Sequence, residues 1–159
     1  MLGGLARWLR MLGYVTEYDS KADDSRLLRS SENPETVLLT RDEELYNRAL
    51  GKRIRSVLVV GDTEEARLVQ LTRTLGISVE IEMSTTRCPE CGAELREISR
   101  GEASSAVPAK SLELYDRFWR CNKPGCEKTY WVGSHWKHIR QTLEEVRKKA
   151  SLDEMNMKC

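Results

Sequence analysis

Four cysteines occur as two closely spaced pairs in the second half of the 159-residue chain. Cys88 and Cys91 form a C-x2-C pair, and Cys121 and Cys126 form a C-x4-C pair, with 29 residues between the pairs. Thiolates from two such pairs are common ligands of tetrahedral Zn²⁺, and four of them leave no coordination position for a substrate. We predict a structural zinc site; the alternative, a pair of disulfides, fits less well because the chain begins with no secretory signal.

Carboxylates form the second group of residues that could do chemistry. Asp42 directly follows a predicted strand, 36–40, and Asp23 and Asp24 follow a short run of β-forming residues, 14–18. Ligands of parallel sheets bind at the carboxyl ends of the strands, and carboxylate oxygens suit Mg²⁺ or Mn²⁺, which activate water for phosphodiester hydrolysis. The pattern equally fits the alternative that Asp24 and Asp42 are helix caps.

The elements that must position these groups alternate between helix and strand. We predict helices from Leu2 to the stop at Gly13, after Asp23 or Asp24, from an acidic start at 41–44, and at 63–75 with a stop at Gly76. Between and after them we predict strands at 14–18, 36–40, 54–60 and 77–81. This order is typical of an α/β fold with a parallel sheet. The first half contains no His or Cys and no glycine-rich phosphate loop, which disfavours Ser-His or Cys-His catalysis.

The overall charge of +1 conceals two unlike halves. Residues 1–84 carry 12 basic and 14 acidic side chains, whereas residues 85–159 carry 14 basic and 11 acidic ones. We predict an α/β domain at 1–84, a zinc-binding domain with a C-terminal helix at 85–150, and a disordered tail at 151–159. No apolar run is long enough to span a membrane, so a cytoplasmic protein is expected.

Basic and aromatic residues alternate around and after the second cysteine pair. The aromatic residues fit a small core better than a stacking platform for bases, and the basic ones fit phosphate contacts. His135 and His138 are the only histidines. His135 is interpreted either as a surface residue of a helix that Ser134 caps or as a residue that reaches substrate.

Several strings of the sequence together resemble the Mut-seven C-terminal RNase domain family over about residues 1–145. They are MLGGLARWLRMLGY, ADDSRLL, VLLTRDEEL, RCPEC, YDRFWRC and YWVGSHW. The resemblance implies a PIN-like parallel-sheet domain followed by a small zinc ribbon, and a metal-dependent ribonuclease. It implies acidic site residues at Asp24, with Asp23 beside it, and at Asp42, with Asp19 as a possible outer participant and Arg41 near a substrate phosphate.

The sequence departs from this family at its start. PIN-like domains open with a strand ending in Asp immediately before the helix with which this chain begins, so the domain is expected to lack its first strand. One expectation is that upstream codons encode a hydrophobic run ending in Asp and that the start is misassigned. The other is a truncated protein that folds poorly, because its strand edges are exposed, and has little nuclease activity.

We therefore predict a Mg²⁺- or Mn²⁺-dependent endoribonuclease in which Asp24, Asp42 and Asp23 are catalytic and the zinc ribbon binds RNA. The residues expected to contact substrate are Arg41, Arg7, Arg10, His135 and Lys137. A PIN domain with a zinc ribbon also occurs in the endonuclease of small-subunit rRNA maturation, which makes rRNA or the ribosome a candidate partner. The alternatives are a non-catalytic RNA- or ribosome-binding zinc protein that keeps the PIN-like fold, and a ribbon that binds another protein.

Overall fold

The structure is a computed structural model that describes residues 1–156, with side chains described up to residue 152. Helix α1 spans Gly3–Met11, and its buried face is formed by Leu5, Ala6, Leu9 and Arg10. The chain leaves the helix through Gly13, whose φ of 91° lies in the region that favours glycine. The predicted first helix and its end are therefore confirmed.

A βαβ unit forms the centre of the first half. Strand β1, Leu38–Thr40, pairs in parallel with β2, Ser56–Leu58, and helix α3, Glu43–Gly51, connects them. Leu38 lies opposite Ser56 and Thr40 lies opposite Leu58, so the carboxyl ends of both strands lie at the same edge. The fold is thus mixed α/β with a small parallel sheet, as predicted, and the finer PIN-like arrangement stays a prediction.

Two predicted strands, at 14–18 and 77–81, are not strands in the structure. In each segment a side chain binds backbone groups of one residue, Thr16 or Ser78, which a ladder would otherwise use. The Tyr14 hydroxyl accepts a hydrogen bond from Ser78 N at 2.8 Å and lies 3.3 Å from Ser78 O. Arg10 Nε donates to Thr16 O at 3.0 Å. Within residues 1–156, the parallel sheet therefore has two strands.

Two further helices flank this unit, and the sequence marks their boundaries clearly. In α2, Asp24–Ser30, the Asp23 side chain caps the first turn by accepting from Arg26 N. In α4, Glu64–Leu75, Thr63 is the N-terminal cap and Gly76 ends the helix in the left-handed conformation. Hydrophobic residues of α1, β2 and α4 form the main core, and those of α2, β1 and α3 form a second, smaller one.

The second half contains a three-stranded antiparallel sheet with the order β3-β4-β5. Its strands are Leu95–Ile98, Phe118–Cys121 and Thr129–Trp131. Two short helices, α5 at Arg100–Ala103 and α6 at Ala109–Leu114, lie between β3 and β4. Phe118 is fully buried in the small core that they form with the sheet, so the interpretation of the aromatics as core residues holds at this position.

Helix α7, His135–Asn156, follows this sheet and returns to the first half. Its Leu143 and Val146 belong to the same core as Leu5 and Leu68. The helix extends to Asn156, inside the tail expected at 151–159, which stays a prediction, and residues 157–159 lie outside the described part of the chain. Among the described helices, none combines the length and the apolar character needed to cross a membrane.

The end of α3 provides a test of local backbone strain. Arg53 has a φ of 59°, and the hydrogen bonds Arg53 N to Leu50 O and Ile54 N to Ala49 O close the helix around it. Glycine is the usual residue at this position because a Cβ is unfavourable in the left-handed conformation. We expect Arg53→Gly to raise the free energy of unfolding by about 0.5–1 kcal/mol in urea denaturation.

Gly76 is the matched control, since its φ of 66° is also left-handed and a Cβ there would meet no atom within 4 Å. Gly76→Ala is expected to lower the free energy of unfolding by about 1 kcal/mol. Equal signs for the two substitutions would contradict the assignment of strain to the Arg53 backbone.

Candidate functional site

The four predicted zinc ligands come together in the structure. The sulfur atoms of Cys88, Cys91, Cys121 and Cys126 all lie within 4.8 Å of one another. Cys91 Sγ and Cys121 Sγ are 3.4 Å apart, and Cys88 Sγ and Cys126 Sγ are 3.8 Å apart. Four thiolates around a tetrahedral Zn²⁺ with bonds of about 2.3 Å have sulfur–sulfur distances of about 3.8 Å. The residues therefore fit a zinc ion, which would be structural in such a closed site.

The two cysteine pairs use the same backbone device. Each second cysteine is followed by a residue with positive φ, Gly92 at 78° and Glu127 at 43°. The first turn is closed by Gly92 N, which donates to Cys88 O at 2.8 Å, and in the second pair Lys123 N donates to the Cys121 sulfur at 3.4 Å. Positive φ turns of this kind explain why sequence neighbours can bind one ion together.

The cysteines differ in acidity because their surroundings differ. Burial raises the pKa of Cys88, but hydrogen bonds from Tyr130 and from the backbone amides of Cys91 and Glu90 outweigh this effect and bring the pKa to about 7. Burial raises the pKa of Cys121 to about 12. Because a metal binds the thiolate, the raised pKa of Cys121 opposes zinc binding and the lowered pKa of Cys88 favours it.

Arg10 lies in the interior and not at a substrate surface. Its side chain donates to three main-chain carbonyls, from Nε to Thr16 O and from Nη1 to Pro89 O and Glu90 O, each at 3.0 Å. The residue is only 5% exposed. Arg10, a predicted phosphate contact, is thus buried, and its guanidinium holds the first cysteine pair against helix α1.

Other contacts reinforce this junction. Arg87 N donates to Arg10 O at 2.9 Å, and Thr86 Oγ1 donates to Met11 O at 2.9 Å. On the surface, the Glu90 carboxylate pairs with Arg7 at 3.3 Å and with Lys128 at 3.7 Å. Arg7, a predicted phosphate contact, is exposed but already paired with a carboxylate at this junction.

The predicted catalytic carboxylates have structural partners. Asp23 caps α2, and Asp42 caps α3 by accepting from Leu45 N at 2.9 Å. Asp24 pairs with Arg48 of α3 at 2.7 Å. Asp19, the expected outer participant, pairs with Arg26 at 2.8 Å. Each of these aspartates therefore has a cap or an ion-pair contact, and the role of metal ligand stays a prediction.

Helix α3 is the element that links the aspartates. Asp42 lies at its start, beyond the carboxyl end of β1, and Arg48 on the same helix binds Asp24. The only group of three or more potential metal ligands within the described residues is the cysteine cluster. Asp24 and Asp42 are thus both in contact with α3. Within the described residues, they do not form a group of three potential metal ligands with another carboxylate.

Glu64 is a carboxylate of this region that the sequence interpretation did not select. It starts α4, soon after β2, and its Oε1 pairs with the buried Arg67 at 2.7 Å. Its Oε2 is buried and has no hydrogen-bond partner among the described residues. A Cβ on Gly4 would lie 2.6 Å from Glu64 Oε1, so the start of α1 packs closely on this side chain. Glu64 could have been selected from the sequence because, like Asp42, it follows a strand and lies at the start of a helix.

The remaining predicted substrate contacts are at the surface. Arg41, His135 and Lys137 are all exposed, with Arg41 directly after β1 and the other two in the first turn of α7. Trp119 is only 4% exposed and is covered by the Arg117 guanidinium, which lies 5.1 Å from its ring centre. Stacking of a base on Trp119 is therefore blocked by protein atoms.

The cysteine cluster predicts that the wild-type chain binds a single zinc ion with high affinity. Cys121→Ser is expected to lose stoichiometric zinc through gel filtration, measured by elemental analysis, because a hydroxyl is a poor replacement for a thiolate. Cys159→Ser, which changes a residue outside the described part of the chain, is the control and should retain zinc. Retention of full zinc by Cys121→Ser would contradict the four-thiolate site.

The burial of Arg10 predicts a large loss of stability when its charge is removed. Arg10→Gln leaves carbonyls at the junction without their donor, so the free energy of unfolding of the zinc-loaded protein should fall by about 3 kcal/mol. Arg7→Gln breaks only an exposed pair and should change it by less than about 0.5 kcal/mol. Similar effects of the two substitutions in urea denaturation would contradict the structural role of Arg10.

The family described as Mut7-C RNAse domain matches residues 1–143, which is most of the chain and includes α1, the βαβ unit, the cysteine cluster and the start of α7. No curated protein and no solved structure matches the sequence significantly. The match confirms the resemblance found in the sequence, and the chain belongs to the Mut7-C RNAse domain family.

Proposed function

We propose that this protein is a Mg²⁺- or Mn²⁺-dependent endoribonuclease whose catalytic residues are Asp42 and Asp24, supported by Asp23. The observation that carries the proposal is the position of Asp42 beyond the carboxyl end of a parallel strand, in a chain of an RNase domain family. Ligand sites of parallel sheets occur at this edge. A divalent cation bound there would supply activation of water and stabilisation of the leaving oxygen.

The helix-capping contact of Asp42 is compatible with this role. Only one oxygen, Oδ1, accepts from Leu45 N, and an ionised carboxylate offers about four acceptor sites on its two oxygens. Asp42 is also exposed. Asp24 is partly exposed and pairs with Arg48 through Oδ2, so its contact is an ion pair near the surface that a cation can replace.

RNA is the substrate that we propose, bound across both halves of the chain. Arg41 lies next to Asp42 and would bind a phosphate near the scissile bond, and Arg7, His135 and Lys137 offer further exposed basic or polar groups. The zinc ribbon would contribute Lys128 and its neighbours, mainly through phosphate contacts, since Trp119 is covered. We retain the proposed divisions at 1–84 and 85–150, and cytoplasmic action on rRNA or the ribosome as the candidate setting.

One observation favours the alternative function, a non-catalytic RNA- or ribosome-binding zinc protein. Asp23, Asp24 and Asp42 each have a cap or ion-pair contact, and the described residues contain no group of three carboxylates that could hold a cation. In such a protein the ribbon would be the binding element, and the aspartates would serve the fold alone.

Substitution of Asp42 by Asn separates the two functions. Asn caps helices about as well as Asp, so Asp42→Asn should keep α3 while it removes the charge that a cation needs. With Mn²⁺ and single-stranded RNA, we expect the cleavage rate of Asp42→Asn to fall by more than roughly 10–100-fold. That range is typical when a hydrogen-bond partner of a metal ligand is lost, and loss of the ligand itself should cost more. Binding of the same RNA, measured by fluorescence anisotropy without Mn²⁺, should stay within about two-fold.

The control for this experiment is Glu35→Gln, which removes one exposed carboxylate from the loop before β1 and should cleave at the wild-type rate. All proteins are purified in parallel, checked for zinc content, and assayed with and without Mn²⁺. Binding without any Mn²⁺-dependent cleavage by wild type would support the alternative function. Equal cleavage by wild type and Asp42→Asn would refute the assignment of Asp42.

A further inference from the structure

Tyr130 reaches the cysteine cluster from a different strand. It lies in the middle of β5, opposite Trp119 of β4, and its hydroxyl is 3.1 Å from the sulfur of Cys88. Cys88 is fully buried and Tyr130 is partly buried. The tyrosine is four residues beyond Cys126 and outside both cysteine pairs, so the spacing of the cysteines does not predict its position.

The chemistry of the pair decides which atom is the donor. A thiolate that binds a metal has no proton, so it can only accept, and the tyrosine hydroxyl must donate. Four thiolates around Zn²⁺ carry an excess of negative charge, and buried thiolates depend on nearby donors to stabilise it. Cys88 is the most buried of the four cysteines, so water is the least available to it.

We propose that Tyr130 is an outer-sphere partner of the zinc site, a positioning residue that donates a hydrogen bond to the Cys88 thiolate and so strengthens metal binding. The bond also joins β5 to the first cysteine pair independently of the metal. The proposal rests on zinc at the cysteine cluster and is independent of nuclease activity.

Tyr130→Phe tests the proposal because it removes the hydroxyl and retains the ring. We expect zinc affinity, measured by competition with a chromophoric chelator, to fall by about 10–100-fold, the range found for loss of outer-sphere hydrogen bonds. Release of zinc to excess chelator should accelerate. Affinity and release rate within two-fold of the wild-type values would overturn the proposal.

Tyr115→Phe is the matched control. Tyr115 also packs in the second half of the chain, but its hydroxyl makes no hydrogen bond within the described residues, so the substitution should leave zinc affinity unchanged. An equal loss of affinity in Tyr115→Phe would show that ring packing, and not the hydroxyl, supports the site, which would also overturn the proposal.

A measurement on the wild-type protein covers the case in which Tyr130→Phe does not fold. A hydroxyl proton donated to a buried thiolate exchanges slowly with water, so proton NMR of the zinc-loaded protein should show a slowly exchanging tyrosine hydroxyl resonance. Substitution of zinc by ¹¹³Cd should shift this resonance, because its acceptor sulfur binds the metal. A tyrosine hydroxyl that exchanges fast, or is unchanged by cadmium, would contradict the proposal.

Discussion

The buried guanidinium of Arg10 is the interaction on which the rest of the structure depends. A charge at 5% exposure is costly unless it is hydrogen-bonded, and here three carbonyls from two separate parts of the chain accept hydrogen bonds from its Nε and Nη1. Two of them, on Pro89 and Glu90, lie between the first pair of cysteines. A helix of the main core and the turn of the first cysteine pair are therefore positioned by the same side chain.

Helix α7 makes a second connection between the halves. It begins directly after the antiparallel sheet and inserts Leu143 and Val146 into the core of the first half. The two halves of the chain, which differ in composition on either side of residue 84, therefore share one hydrophobic core. A change in the conformation of the cysteine cluster is expected to affect α1, because Arg10 of α1 bonds the first cysteine pair. It is expected to affect α4 as well, because α7 follows the antiparallel sheet and packs against α4.

The aspartates of the first half have helix-cap and ion-pair contacts at positions where parallel sheets bind ligands. A side chain at the carboxyl end of a strand is also at the start of the next helix in a βαβ unit, so a short acidic residue there caps the helix. Capping fixes the position of Asp42 and leaves one of its oxygens free for a ligand. Exposure and geometry, more than the presence of a cap, therefore distinguish a metal ligand from a structural carboxylate.

Local patterns in the sequence determined the four clustered cysteines, the helices that Gly13 and Gly76 end, and the parallel pair around α3. Each of these depends on residues close in sequence, through cap geometry, helical period or the short turn within a cysteine pair. Tertiary structure alone decided the burial of Arg10, the contact of Tyr130 with Cys88, and the absence of strands at 14–18 and 77–81. These features depend in part on partners far away in sequence, such as Tyr130, 42 residues from Cys88, and Glu90, 80 residues from Arg10, and no local spacing encodes which distant group a side chain will meet.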